Sequence, residues 1–572
     1  MKALRRSVRM RAALAVALAM LFSSRLMAAT VNVVELTAQD IQAGLASSAY
    51  TSVDLVNAYL ARIDELEPLY NAFIALNPSV LADAAALDAE YALTGPRSPL
   101  HGVPIAIKDS MNVAGLPTTG GYGGFVDVAD GGTGKYLVPV ADSPIVERLR
   151  AAGAIILGKT NMPVFARSGS NANNSFYGPT FNSYNTALLP GGSSTGSAVA
   201  TSLSMATMGT AEETGGSIQH PAGANGLVGV KTTFGLVPTS GGIPLSGSTR
   251  DVFGPNAKSV WDAAAMLDVI AGYDHTDIKT LASVGNIPPG GYLGGLSDTA
   301  LAGKRIGLWG PGWKNRTVNN VSVPIELTPD TQALYDAAVD VLEAQGATVV
   351  ENPFLGSNLI PLMSFPGGGN SLPYDIHQFF QSLGGSNPSS AAEFKAMTGV
   401  DIFQANGPLV GNINAALTAA LADPTVLPDI NPFMEGREIV LAEFRRVMDA
   451  LDLDALFYPQ MWSPLEARVG GSYRATTVSE INVLGTPAVN LPGGYYPDGS
   501  PFSVQFLGDM WSEGELLSLA YDFEQATNFR TAPVPVPEPA TLLLAMCCGA
   551  AAAPRFAARR REREAAGRTL AA

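Results

Sequence analysis

The chain has 572 residues, 47% hydrophobic and 15% charged, with a formal net charge of −15. The composition is that of a globular protein, and the acidic balance argues against a nucleic-acid partner, which calls for a basic patch. The two cysteines, Cys547 and Cys548, are neighbours near one end, which excludes a disulfide-built scaffold.

Residues 1–29 begin with Lys2, Arg5, Arg6, Arg9 and Arg11, continue through an uncharged apolar run at 12–22, and close on Met27, Ala28 and Ala29. A basic start, a short apolar stretch and small terminal residues predict a secretory signal peptide, cut by signal peptidase near Ala29. The 11-residue run is too short to anchor the chain, since a hydrocarbon core needs about 20 residues. The Arg5-Arg6 pair leaves the choice between general and twin-arginine export open.

Between 36 and 73 the apolar residues Ile41, Leu45, Val53, Leu55, Val56, Tyr59, Leu60 and Ile63 follow a helical period. Thr51, Ser52 and Asp54 supply an N-cap signal, and a further helix is expected from 78 to about 93. The texture then changes to short apolar runs bounded by Gly and Pro: VPIAI at 103–107, AIILG at 154–158, LVGV at 227–230 and RIGLW at 305–309. Buried strands alternating with helical stretches predict an α/β fold. The segment 290–461 reads as helix-rich, an insertion or a subdomain. No repeat or low-complexity break interrupts 30–530, which argues for fewer domains than the three suggested by length.

Three segments carry candidate chemistry. The first, GVPIAIKDS at 102–110, is a strand pattern that delivers Lys108 at its end. Lysine is seldom fully buried without a partner, so Lys108 is either a surface residue or a functional one. The second, PGGSSTGS at 190–197, precedes a helical run at 198–208 and taken alone is as easily a flexible loop. The third is ETGGSIQHP at 213–221. Its consecutive glycines before Ser217 let backbone N–H groups converge on an anion or a developing oxyanion.

Together these segments resemble the amidase signature family, whose pattern has a lysine ending a strand, a Gly-Gly-Ser-Ser loop and a Gly-Gly-Ser-Ile loop. Lys108, Ser193 and Ser217 fill those positions, with Ser217 24 positions after Ser193. TSVDLVNAYLARI at 51–63, LPTT at 116–119, GKTNM at 158–162, GLVGVK at 226–231 and LGTPAVNLPGG at 484–494 are similar to further family segments. The resemblance runs through about 500 residues. It implies one large catalytic domain at 30–530, with a central mixed β-sheet surrounded by helices.

The resemblance also implies a mechanism. Ser217 would attack an amide carbonyl, Ser193, held by a cis peptide bond, would relay its proton, and Lys108 would be the general base. A base must be neutral, which burial favours for a lysine. The N–H groups of Thr214, Gly215, Gly216 and Ser217 would form the oxyanion hole, and Ala166 lies where family members contact the acyl group. Substrate contacts are thus expected at Ala166 and Ser193, with no metal and no cofactor. The departures are Thr195, Glu213 and Gln219, where the family often has Gly, Asp and Arg. The last two put the electrostatic backing of the oxyanion loop in doubt.

Competing readings are weaker. Gly192, Ser194 and Gly196 satisfy the G-x-S-x-G elbow, but His101, His220, His275 and His377 offer no histidine in the C-terminal portion, and 183–190 is no credible strand. His220 lies three residues from Ser217 and is expected to pack beside the loop. GGTGKY at 131–136 lacks both the first glycine (Ala129) and the hydroxyl residue (Tyr136) of a phosphate loop.

The far end has Pro537-Glu538-Pro539, an apolar run at 540–553, and Arg555, Arg559, Arg560, Arg561 and Arg563. An apolar segment with a positive stop predicts a transient transmembrane helix in the inner membrane. The order resembles the PEP-CTERM sorting tail of Gram-negative bacteria, which implies cleavage by an exosortase-type enzyme and makes 531–572 a linker and tail. Without the two ends the body holds 23 basic and 48 acidic side chains, a net of −25. The sequence thus predicts an exported amidase acting on a small-molecule or peptide amide, located in the periplasm, at the outer surface or in the extracellular matrix. The alternatives are a catalytically inactive surface binding protein of the same fold and a subunit forming glutaminyl-tRNA by transamidation.

Overall fold

The computed structural model describes residues 31–318, 321–363, 370–477 and 480–535. The expected signal peptide, tail helix and basic cluster lie outside these residues. Among the described residues no helix is long and apolar enough to cross a membrane.

The helical pattern at 36–73 divides into two helices, Ala38–Ala46 and Ser52–Tyr70. Each begins with a capping box, in which Thr37 and Thr51 exchange hydrogen bonds with Asp40 and Asp54. These reciprocal bonds satisfy N–H groups that a helix start otherwise leaves unpaired. The second helix buries Leu55, Val56, Tyr59, Ile63 and Leu66 and ends at Asn71, whose φ of 51° closes it in a left-handed turn. The helix expected from 78 spans Val80–Thr94.

One mixed sheet of 11 strands organises the molecule. In chain order these are β1 (Phe73–Leu76), β2 (Pro104–Lys108), β3 (Ile155–Thr160), β4 (Met208–Glu213), β5 (Val228–Lys231) and β6 (Val252–Ala257). β7 (Arg305–Leu308), β8 (Thr348–Val350), β9 (Ala455–Pro459), β10 (Ala488–Tyr495) and β11 (Pro501–Leu507) follow. The spatial order is β1-β3-β2-β4-β6-β5-β10-β11-β9-β7-β8. β2 is parallel to both β3 and β4, the pairs from β4 across to β9 are antiparallel, and β9, β7 and β8 are parallel again. All four apolar runs singled out in the sequence are strands of this sheet, and helices surround it, as expected of the α/β fold.

Two expectations are corrected. The helical run at 198–208 stops early: the helix spans Thr195–Ser202, Ser204 takes a φ of 55°, and Met208 already opens β4. The segment 290–461 does not stand apart, because it contributes β7, β8 and β9 to the sheet. Its helices Leu372–Leu383, Ala391–Thr398 and Ala415–Ala422 close a second apolar cluster with Phe125, Leu137, Phe165 and Ile243.

Candidate active site

Parallel pairing of β2 and β4, in register at Ile105↔Met208 and Ala106↔Gly209, brings their carboxyl ends to one edge of the sheet. Lys108 closes β2, and Glu212 and Glu213 close β4. Ligands of α/β sheets bind at this kind of edge. The loop carrying Ser193 is drawn in by the helix Thr195–Ser202, all of whose residues are small or β-branched and buried. A Cβ on Gly196 would meet the Ala72 carbonyl and the Asn161 nitrogen at 2.4 Å, so only glycine permits this approach.

The peptide bond Gly192–Ser193 is cis. Lys108 Nζ donates to Ser193 Oγ at 2.8 Å and to the Glu212 carbonyl at 3.2 Å. The Ser194 N–H donates to the Ser217 carbonyl at 3.3 Å, which fixes the second serine loop beside the first. Exposure rises along this series, from 0% at Lys108 and Ser193 to 6% at Ser217. The lysine is thus sealed from water and Ser217 alone reaches toward solvent. Burial pushes the Lys108 ammonium below its ordinary range, with the nearby Glu212 carboxylate opposing it. A buried amine 2.8 Å from a hydroxyl can take up that hydroxyl's proton once neutral.

The loop after β4 leaves donors unused. Among the described residues, the backbone N–H groups of Gly215, Gly216 and Ser217 donate to no partner. Gly216 has a φ of 93°, and a Cβ there would stand 2.2 Å from His220 Nε2. Thr214 Oγ1 donates to Asp251 at 2.5 Å and ties down the loop's first residue. This is a donor array of the kind that receives an oxyanion.

The departures from the family pattern support each other. Glu213 accepts from the Ile218 N–H at 2.9 Å, the Gln219 N–H at 3.3 Å, Gln219 Nε2 at 2.6 Å and Asn482 Nδ2 at 2.8 Å. The doubt about the loop's backing is thereby removed, because a carboxylate with four donors fixes the turn after Ser217. Thr195 Oγ1 donates to the Gly191 carbonyl at 2.6 Å and closes the first serine loop. Ser194 Oγ is tied to the Glu212 backbone by bonds of 3.2 Å in both directions, a structural use that removes it from nucleophile duty.

His220 does pack beside the loop: its ring stacks on Tyr473 at 4.3 Å and Nδ1 contacts the Gly169 carbonyl at 3.1 Å. Burial pushes its pKa down to about 3, so it is a neutral spacer. Ala166 is 8% exposed with a φ of 56°, on a segment joined to the serine loop through Gly192 N–H donating to Gly169 at 2.9 Å. Lys159 of the 158–162 segment pairs with buried Asp109 at 3.3 Å rather than with the serines. In 131–136 the N–H groups of Gly132, Thr133 and Gly134 bond to carbonyls of Asp127, Gly123 and Val126, leaving no phosphate cradle. Among the described residues no group of three or more acidic, His or Cys side chains could hold a metal.

Glu212, Asp251 and Asn482 were missed in the sequence. A signal existed only for Glu212: two consecutive carboxylates in the buried strand MGTAEE defy the rule that unpaired acids stay outside.

A family model described as Amidase matches residues 54–517. A glutamyl-tRNA(Gln) amidotransferase subunit from Methylococcus capsulatus is 32% identical over 517 residues, covering 86% of this chain and 98% of that protein. The solved peptide amidase of Stenotrophomonas maltophilia is 31% identical with a TM-score of 0.70, covering 87% of this chain and 98% of its own. A bacterial aryl acylamidase at 21% identity and a TM-score of 0.64 shares the fold, covering 86% of this chain and 97% of its own. The match runs through the sheet, both serine loops and the lysine strand, and the chain belongs to the amidase signature family.

Proposed function

We propose that the protein hydrolyses a carboxylic or peptide amide through an acyl-enzyme on Ser217. The observation that carries this reading is the 2.8 Å contact between Lys108 Nζ and Ser193 Oγ in a pocket closed to water, beside Ser217. Neutral Lys108 takes the Ser193 proton as Ser193 takes that of Ser217. The Ser217 Oγ then bonds to the carbonyl carbon. The oxyanion is received by the N–H groups of the 214–217 loop, each worth about 3 kcal/mol in such sites. The proton returns through Ser193 to the departing nitrogen as the C–N bond breaks. A water molecule, deprotonated by the same relay, then cleaves the ester and frees Ser217. Lys108, Ser193 and Ser217 are the catalytic residues in this scheme, and Ala166 lies against the acyl group.

The peptide amidase, 31% identical, favours peptide amides as the first substrates to test. The test is ammonia release by the purified protein from a panel of acyl, aryl and peptide amides. Loss of release in Ser217→Ala supports the assignment, and unchanged release sinks it. If no amide is turned over, the inactive binding-protein reading takes its place. The amidotransferase relative, 32% identical, favours a second reading as a glutamyl-tRNA amidotransferase-type subunit. The body's net charge of −25 weighs against a tRNA-bound substrate. Hydrolysis by the chain alone separates the two.

Export is part of the same proposal, supported by the basic-apolar-small pattern at 1–29 and the Pro-Glu-Pro, apolar and arginine order of the tail. An N-terminus near residue 30 on protein from the periplasm or medium supports it, and intact Met1 on protein confined to the cytoplasm contradicts it.

A further inference from the structure

Glu212 has no part in the scheme above, yet among the described residues it is the only carboxylate in ion-pair range of Lys108, with Oε2 3.5 Å from Nζ. Both side chains are buried, Lys108 at 0% and Glu212 at 2% exposure. Glu212 Oε2 has no hydrogen bond of good geometry among the described residues, and the Lys108 ammonium and the Ser110 hydroxyl are the groups that favour its charged form. A carboxylate oxygen in that position is costly unless a neighbouring cation compensates it.

The other ionisable groups around Lys108 are occupied. Asp251, from the turn before β6, accepts from Thr214 Oγ1 at 2.5 Å and from the N–H groups of Leu245 and Ser246 at 2.8 and 2.9 Å. Glu213, beside Glu212 on β4, is held by the four donors described above. Asp109, which follows Lys108, pairs with Lys159 of β3 at 3.3 Å and accepts from Thr119. Asp375, beyond Asp251, accepts from the hydroxyls of Ser248 and Ser371. Among the described residues Glu212 is the carboxylate nearest Lys108, and Asp251 and Glu213 add weaker attraction from further away.

Burial lowers the proton affinity of Lys108, and an opposite charge beside it is what steadies a proton taken from Ser193. Resting on the reading of Lys108 as base, we propose that Glu212 is a positioning residue that restores this proton affinity and aims Nζ at Ser193. When the Ser193 O–H bond breaks and the Lys108 N–H bond forms, the new ammonium arises 3.5 Å from the carboxylate and is stabilised by it. Burial pushes Lys108 down and the Glu212 carboxyl up to about 7, and each group opposes the other's shift, in agreement with this arrangement.

The test is the pH dependence of kcat and kcat/KM for a hydrolysed carboxamide, using full-length wild type, Glu212→Gln and Glu212→Asp. Removing the carboxylate lowers the proton affinity of Lys108, so the acid limb in Glu212→Gln moves to lower pH by about one unit or more. At the same time kcat falls about tenfold or more while KM stays within about twofold, since the buried carboxylate does not reach substrate. Glu212→Asp keeps the charge and moves the limb by less than half as far. Glu212→Thr, another neutral residue suited to a strand, gives the same comparison where the glutamine variant does not fold. An unmoved limb in the neutral variants overturns the proposal, as does an equal shift in Glu212→Asp, which would reflect packing. Turnover surviving in Ser217→Ala overturns the triad reading itself. A dead Ser217→Ala with an unmoved limb in Glu212→Gln overturns only the role of Glu212.

Discussion

Gly216→Ala probes the oxyanion loop with a single methyl group. The new Cβ would lie 2.2 Å from His220 Nε2, 2.4 Å from Cε1 and 2.8 Å from Cδ2, on a residue whose φ is 93°. The imidazole has little room to retreat, because it is stacked on Tyr473 at 4.3 Å and held to Gly169 at 3.1 Å. The backbone must therefore shift, turning the N–H groups of Gly216 and Ser217 away from a common point. Positive φ alone costs an alanine about 1–2 kcal/mol. Loss of one aligned oxyanion donor costs about 3 kcal/mol in the transition state, or 10²–10³ in kcat. Steady-state amide hydrolysis, read beside the melting temperature, is the assay. The expected result is a fall in kcat of about 10²-fold or more with KM changed only a few-fold and Tm lowered by a few degrees. A folded Gly216→Ala protein with kcat within about twofold of wild type would refute the reasoning.

Other outcomes follow from the same geometry. Glu213→Ala removes the acceptor of four donors around Ser217; denaturant unfolding should show a loss of about 3 kcal/mol or more, with a large fall in kcat. Lys159→Met strands the carboxylate of Asp109 in the core and should destabilise by about 3–5 kcal/mol, measurable as a lower urea midpoint. For His220, the folded pKa is pushed down to about 3 from 6.5. The unfolded chain therefore binds the extra proton between these values, and the stabilisation present above pH 6.5 is lost as pH falls toward 3. The slope is about 1.4 kcal/mol per pH unit for one proton. His220→Phe, which keeps a ring for stacking, should unfold with one fewer proton taken up in that window, and an unchanged pH slope would contradict the neutral-spacer assignment.

Much of the fold was legible because the local signals were strong and agreed with one another. Thr51 with Asp54 announced a helix start, and VPIAI and AIILG announced strands too apolar to be exposed. The helix after the first serine loop was overextended because 203–208 carries neither Gly nor Pro to mark a stop; the stop at Ser204 lies in a backbone angle that serine does not advertise. The lysine and two serines were legible through the resemblance of their segments to the amidase signature pattern, yet what supports them was not. Glu213 and Gln219 looked like losses because their bond to each other forms only in the folded turn, and Asn482, which also donates to Glu213, is 269 residues away in sequence. Glu212 meets Lys108 only because β2 and β4 are neighbours, a pairing that no local pattern encodes.

The central assignment is the acyl-enzyme on Ser217. The most direct measurement is intact-mass and peptide-mass spectrometry of the wild-type protein quenched during amide turnover, with Ser217→Ala alongside. The expected result is a substrate-acyl adduct confined to Ser217 and absent, together with ammonia release, from Ser217→Ala. An adduct on Ser194, or turnover persisting in Ser217→Ala, would contradict it.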